Sequence, residues 1–209
     1  MEDIILIGGG GHCKSCIEII ESTGDFNITG ILDMKENVGK NVCGYPIINT
    51  DDAIEEYQSD HQFLITVGHI NSAKIRKTIY NKVKSVNGKL ATIISPRAYV
   101  SKRSKIGEGT IIMNDVIINA HCKIGVNNII NNKALLEHDV EIADHNHIST
   151  NATINGTVLI GCNNMIGSSS TLINNISIAN EIIIGAGATV IKNINKEGTY
   201  MGIPAKRKN

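Results

Sequence analysis

The 209 residues carry 20 Lys+Arg against 20 Asp+Glu, a balance with no basic stripe for nucleic acid and no acidic tail. No apolar run approaches the roughly 20 residues needed to cross a bilayer, and the opening MEDIILIGG lacks the charged and apolar regions of a signal peptide. The odd set Cys13, Cys16, Cys43, Cys122 and Cys162 is therefore expected to be reduced in a cytoplasmic protein, and a chain with no Trp and two Phe is expected to build its core from stacked aliphatics.

Residues 1–94 read as a small Rossmann-like α/β domain. Ile4-Ile5-Leu6-Ile7 is a buried-strand run, Gly8-Gly9-Gly10-Gly11-His12 follows, and a helical stretch continues to about Ser22. Asn27–Asp33 predicts a second strand ending in an acid, and Phe63–Val67 a third. Gly68-His69-Ile70-Asn71 then leads into a helix containing Arg76, and Leu90–Ile94 closes the unit. Strands alternating with helices imply a parallel sheet. A Gly-rich turn between strand and helix lets backbone N–H groups approach phosphates, although GGGGH departs from GxGxxG and also fits a tight turn with no ligand. Asp33 stands where such folds place an acid against a ribose or base; a plain strand-ending turn is the alternative. Cys13-x-x-Cys16 lies in a predicted helix without a second pair, so both are expected to be plain reduced thiols rather than a redox or zinc site.

Residues 95–209 obey another rule. From Val100 to Val190 every sixth residue is β-branched or Leu, sixteen positions without exception. A period of six fits neither an amphipathic helix nor a simple strand. It fits short strands joined by tight corners, three strands to an 18-residue coil, with one aliphatic per side pointing inward. The residue two before each aliphatic, such as Val116, Cys122, Ala134, Val140 and Ala152, is expected to share the interior, because alternate strand residues face the same way. The residue just after it is often Gly or Asn, as at Gly107, Asn119, Gly125, Asn131, Gly161 and Gly167, which predicts left-handed corner backbone there.

Leu136 points inward, so His138 is expected near a corner, where one of its acidic neighbours, Glu137 or Asp139, can accept a ring N–H and fix the tautomer. Gly156 is one coil after His138, so the two should stack, and a backbone N–H beside Gly156 is a candidate oxyanion donor. His147 and His145 are both expected to face outward, with His145 on the surface.

This repeat resembles the hexapeptide-repeat acyltransferases, whose parallel β-helix winds left-handed and which are typically homotrimers with active sites between subunits. The whole chain resembles the sialic acid O-acetyltransferase and bacillosamine N-acetyltransferase family: IILIGGGGH at 4–12, ILD at 31–33, TVGHINSAKIR at 66–76, EHD at 137–139 and MGIPAKR at 201–207. The resemblance implies an acetyl-CoA-dependent N-acetyltransferase of a nucleotide-linked amino sugar, serving surface glycan synthesis by direct transfer. It implies His138 as general base oriented by Asp139, with Asn131 on the sugar side and His147 and Gly156 on the coenzyme side. It further implies that Gly8, Gly9, Gly10, Gly11, His12, Asp33, Gly68 and His69 hold the nucleotide sugar. The family commonly has a second acid after the first, where this chain has Met34. Lys206 and Arg207, with Lys208, are candidates for the coenzyme A phosphates, the alternative being a solvated basic tail. No Ser or Cys adjoins His138, though a nucleophile from a neighbouring coil stays open, and no metal is expected.

The same residues are compatible with three other functions. O-acetylation of a sialic-acid-like sugar would use the same base and cleft. A metal-dependent anhydrase would need three converging histidines from among His121, His138, His145 and His147. A non-catalytic spacer would need none of them.

Overall fold

A computed structural model describes residues 1–208 and separates into two compact units. Unit 1 comprises Met1–Gly68 and Lys74–Pro96; unit 2 begins at Arg97 and also claims the five-residue segment His69–Ala73. His69, expected in the small domain, thus belongs to the second unit.

Unit 1 is built on β1 (Glu2–Ile7), α1 (Gly11–Thr23), β2 (Phe26–Leu32), β3 (Asn41–Val42), β4 (Tyr45–Asn49), α2 (Ile54–Tyr57), β5 (Gln62–Ile65), α3 (Lys74–Ser85) and β6 (Lys89–Leu90). The sheet order is β3-β4-β2-β1-β5-β6, parallel throughout except for the β3–β4 hairpin. Ile4 to Ile7 are at most 2% exposed, as expected for a central strand buried on both faces. Cys13 and Cys16 lie on the buried side of α1, and burial pushes their thiols up to about 11 and about 12. They are core residues. Gly24 ends α1 in the left-handed conformation, its N–H returning to the Ile20 carbonyl.

Unit 2 is a hexapeptide-repeat left-handed β-helix. After β7 (Ile93–Ile94), sixteen short strands run from β8 (Tyr99–Val100) to β23 (Thr189–Val190), and each of the sixteen periodic aliphatics is the last residue of one of them. Each strand from β8 to β20 pairs in parallel with the one 18 residues on, as Leu135↔Thr153 and Leu136↔Ile154. A first face is carried by strands ending at Ile112, Ile130, Ile148, Ile166 and Ile184, continuing into β24 (Gly198–Met201) and β25 (Lys206–Arg207). A second ends at Val100, Ile118, Leu136, Ile154, Leu172 and Val190, and a third at Ile106, Ile124, Ile142, Ile160 and Ile178. From Ile112 onward all these aliphatics are buried, as are Val116, Cys122, Ala134, Val140 and Ala152 beside them.

The corners differ from the expectation. Left-handed backbone recurs at the third residue after each aliphatic, from Asp115 and His121 through Asp139 to Glu181, and not at the first. The glycines at the first position answer a different need: a Cβ on Gly107 would lie 2.6 Å from the Gly125 carbonyl, and one on Gly125 would lie 2.9 Å from that of Ala143. Coils at 4.8 Å spacing bring backbone onto backbone there, and only the smallest residue fits.

Inside the prism runs a polar ladder. Asn128 Oδ1 accepts from the Asn146 N–H at 2.7 Å, Asn146 Oδ1 from Asn164 at 2.8 Å, and Asn164 Oδ1 from Ile182 at 2.7 Å. Asn146 also donates to the carbonyls of Ala143 and Asp144. Replacing Asn146 by Leu strands these groups in the buried interior, so unfolding by denaturant should show a loss of about 3 kcal/mol; an unchanged midpoint would mean the ladder is dispensable.

Candidate active site

His138 and Asp139 follow β14 (Leu135–Leu136) on the edge between the second and third faces. Asp139 takes the left-handed corner, φ 60°, which turns its carboxylate back onto its neighbour: Oδ2 lies 2.9 Å from His138 Nδ1. A carboxylate only accepts, so Nδ1 carries the proton and Nε2 presents its lone pair outward. Of the two flanking acids, Asp139 makes this contact. Glu137 instead accepts from Asn119 Nδ2 at 2.9 Å, one coil earlier, and its carbonyl receives the Cys122 Sγ–H at 3.1 Å. These two bonds hold the loop that carries the histidine.

Gly156 lies directly beneath the imidazole. A Cβ there would stand 2.7 Å from His138 Cε1 and 2.8 Å from Nε2. At the equivalent corner position of other coils a side chain points back and accepts an N–H from the coil before, as Asn132, Asp144 and Asn180 do. Glycine leaves that space to the ring. The Thr157 N–H is bonded to the His138 carbonyl at 3.0 Å, whereas the Gly156 N–H donates to no described residue. Cys122, the thiol from the adjacent coil, is fully buried and its pKa is pushed up by burial, which makes it a poor nucleophile.

The remaining histidines sort onto other parts of the prism. His121 occupies the corner one coil before Asp139, on the same edge and exposed. His145 was expected on the surface, but it is 7% exposed. It is the left-handed residue of the edge between the third and first faces, and its Nδ1 lies 2.9 Å from Asn127 Nδ2. His147 stands on β16 (His147–Ile148) of the first face and is likewise 7% exposed. Its Nδ1–H donates to the His69 carbonyl, and Nε2 accepts from Asn131 Nδ2 at 3.1 Å. The His69 ring lies 6.2 Å away, tilted by 45°. So Asn131, His147 and His69 form one cluster on the first face, while His138, Asp139 and Gly156 form another on the opposite edge.

In unit 1 the glycine turn leaves β1 at the point where the sheet order reverses between β1 and β5, the usual ligand crevice of an open parallel sheet. Gly8 has φ 104°, and a Cβ on it would meet Val67 Cγ2 at 2.4 Å. Asp33 fixes the turn: Oδ2 accepts from the Gly9 N–H at 2.9 Å and Oδ1 from Met34 at 2.7 Å. Around Gly10 and Gly11 a Cβ would touch nothing within 4 Å, so the N-terminus of α1 opens onto clear space. Gly68 lies 3.8 Å, by the same measure, from His12 Cβ. Arg76, given no role by its sequence position, is 1% exposed and donates to the Ile65 and Val67 carbonyls, which secures the end of β5. Burial lowers its pKa to about 10.

Residues 3–83 match the model of the PglD N-terminal domain. The chain is 36% identical over 117 residues to the UDP-N-acetylbacillosamine N-acetyltransferase of Bacillus subtilis (strain 168), which is 54% of this chain and 52% of that protein. The match thus spans about half the length of the curated relative. Along its full length it superposes on the acetyltransferase domain of PglB from Neisseria gonorrhoeae FA1090, with TM-score 0.92, 27% identity and 100% of both chains covered. PerB from Caulobacter crescentus, solved in complex with CoA and GDP-perosamine, gives TM-score 0.92 and 27% identity over 100% of this chain and 98% of its own. Along its whole length the chain is thus similar to hexapeptide-repeat acetyltransferases.

The chain carries Lys206 and Arg207 on β25, both exposed, at the closing end of the β-helix. They line a cavity of about 340 Å³ together with Lys192 and Lys196. Among the described residues no group of three or more His, Cys, Asp or Glu is placed to hold a metal ion, and no helix is long and apolar enough to cross a membrane.

Proposed function

We propose that the chain transfers the acetyl group of acetyl-CoA to the amine of a nucleotide-linked amino sugar, with His138 as general base. The observation that carries this is the His138–Asp139 pair stacked over Gly156. Nε2 of His138 takes a proton from the amine as its nitrogen attacks the thioester carbonyl, and Asp139 stabilises the resulting imidazolium through Nδ1–H. The Gly156 N–H is the donor for the oxygen on which charge develops. The C–N bond forms as the C–S bond breaks, and the proton held by His138 passes to the departing thiolate, giving amide and free CoA.

Unit 1 grips the nucleotide: the N–H groups of Gly10, Gly11 and His12 at the start of α1 receive the diphosphate, with Gly8, Gly9, Asp33 and Gly68 shaping the crevice. The protein works as a homotrimer with active sites between subunits. Support for this comes from the prism itself, since the His138 edge lies opposite the face that carries His147 and Asn131, so a site using both clusters draws on two copies. An amine acceptor is favoured over a hydroxyl because the relatives above are named as N-acetyltransferases or were solved with GDP-perosamine. We place the enzyme in the cytoplasm, in keeping with five free cysteines.

The test is a mass-shift assay. UDP-, GDP- and dTDP-linked 4-amino sugars, free sialic acid and CMP-sialic acid are each incubated with acetyl-CoA and protein. One of the amino sugars should gain an acetyl group while the sialic acids do not. Acetylation of a sialic acid alone would make this an O-acetyltransferase, and light scattering giving the 22.5 kDa of one chain would remove the trimer.

A further inference from the structure

The edge that carries His138 continues toward the opening end of the β-helix. Val100, Ile118 and Leu136 end successive neighbouring strands of the second face, so Lys102, Ala120 and His138, each two residues on, form one column. Arg103, His121 and Asp139 form the column beside it. The third face starts next to this edge, with Lys105 on β9 (Lys105–Ile106) paired to Lys123 on β12 (Lys123–Ile124). Two serines fix the turn that bears Lys102 and Arg103. Ser101 Oγ accepts the Arg103 N–H at 3.3 Å, and the Ser104 N–H returns to the Ser101 carbonyl at 2.9 Å. Ser104 Oγ donates to the Asn119 carbonyl at 2.7 Å, which ties the turn to the next coil.

Lys102, Arg103 and Lys105 are all exposed, and none is ion-paired to a described residue. The acids of the same edge and of the adjoining strands are taken. Glu141 holds Lys123 Nζ at 2.6 Å, Glu137 accepts from Asn119, and Asp139 is on His138. Cations gathered without a counter-charge repel one another and attract an anion. Their distance from the base says which anion. Lys102 is two coils from His138, about 10 Å along the axis at 4.8 Å per coil, and Ala120 between them is too small to block the path. The oxyanion donor Gly156 lies one coil away on the other side, so the thioester belongs to the closing side and the amine to the opening side. A 4-amino sugar with its nitrogen at His138 Nε2 has its anomeric oxygen across the ring, and the diphosphate attached there arrives at these cations.

We infer that Lys102 and Arg103, with Lys105, bind the diphosphate of the nucleotide-sugar acceptor and so set a preference for a nucleotide-linked over a free amino sugar. The inference rests on the acceptor reading above and adds a second set of groups to it. The start of α1 meets the diphosphate from the nucleoside side, and the β-helix edge meets it from the sugar side. Arg103 offers a planar fork for bidentate contact with a phosphate, and Lys102 a compact point charge on a flexible stem.

Calorimetry on the intact protein with the UDP-, GDP- and dTDP-linked 4-amino sugars, in the absence of acetyl-CoA, reads this site without turnover. Lys102→Ala and Arg103→Ala should each weaken the tightest of these ligands about tenfold, the worth of one charge-assisted hydrogen bond. Arg103→Lys should recover part of the loss, and Lys77→Ala, an exposed lysine of α3, should change nothing. CoA affinity and melting temperature should stay native in all of them. With acetyl-CoA present, the two alanine variants should raise the KM for the amino sugar about tenfold and leave kcat nearly unchanged. Native affinity and KM in both alanine variants would overturn the proposal and leave the acetylation reading standing. A melting temperature that falls together with affinity would make these residues structural and overturn it too. Weakened binding in the variants, with no acetyl transfer by the native protein to any of the three sugars, would uphold this site and count against the acetylation reading alone. No binding of any of the three to the native protein would overturn both.

Discussion

Replacing His138 with alanine should lower kcat by a factor of about 10² to 10⁴, the range that general-base catalysis contributes, with acetyl-CoA affinity left near its native value. The ring is exposed on an edge, held by Asp139 from one side and seated on Gly156 below, so its loss removes chemistry and not packing. Melting temperature should hold, which separates a missing base from a misfolded chain. Asp139→Asn should lose less: the amide can present Nδ2 to the ring, which favours the wrong tautomer, but the imidazole stays in place. Free CoA release, followed with a thiol reagent, checks both. A His138→Ala protein turning over within tenfold of the native rate would mean that another group takes the proton.

Gly156→Val is expected to be nearly as damaging, and for a steric reason. Its Cβ would arrive 2.7 Å from His138 Cε1 and 2.8 Å from Nε2, inside any van der Waals limit, so the imidazole must swing away from the edge. Displacing a catalytic group by about 1 Å can cost on the order of 10²-fold in rate, and the Gly156 N–H would be shielded at the same time. The backbone of Gly156 has an ordinary negative φ, since it is not among the positive-φ glycines, so the coil itself should remain wound. Circular dichroism should match the native protein while turnover collapses. Retained turnover in the valine protein would show that the ring does not work from this seat.

The same contrast between spacing and contact runs through the whole molecule. Sixteen aliphatics in one phase were sufficient to set the β-helix, because a six-residue beat with one inward side chain per strand has no helical or flat-sheet solution. The stacking of His138 over Gly156 was legible too, since 18 residues return the chain to the same edge. Asp33 at the end of β2 and the glycine turn after β1 followed from strand runs and their punctuation. All of these are consequences of periodicity, and periodicity is written in the order of residues.

What periodicity does not encode is which atoms meet. Glu137 and Asp139 flank the histidine alike in sequence, and only the left-handed turn at 139 directs that carboxylate to Nδ1 while Asn119 engages the other. His145 sits at a corner, yet its ring is buried against Asn127. His147 is bound by a carbonyl 78 residues away. Lys192 and Lys196 come to line one cavity with Lys206 and Arg207 only because the closing hairpin brings the chain back. Contacts of this kind depend on distant segments and on the local sign of φ, so they come into being only when the coils are stacked.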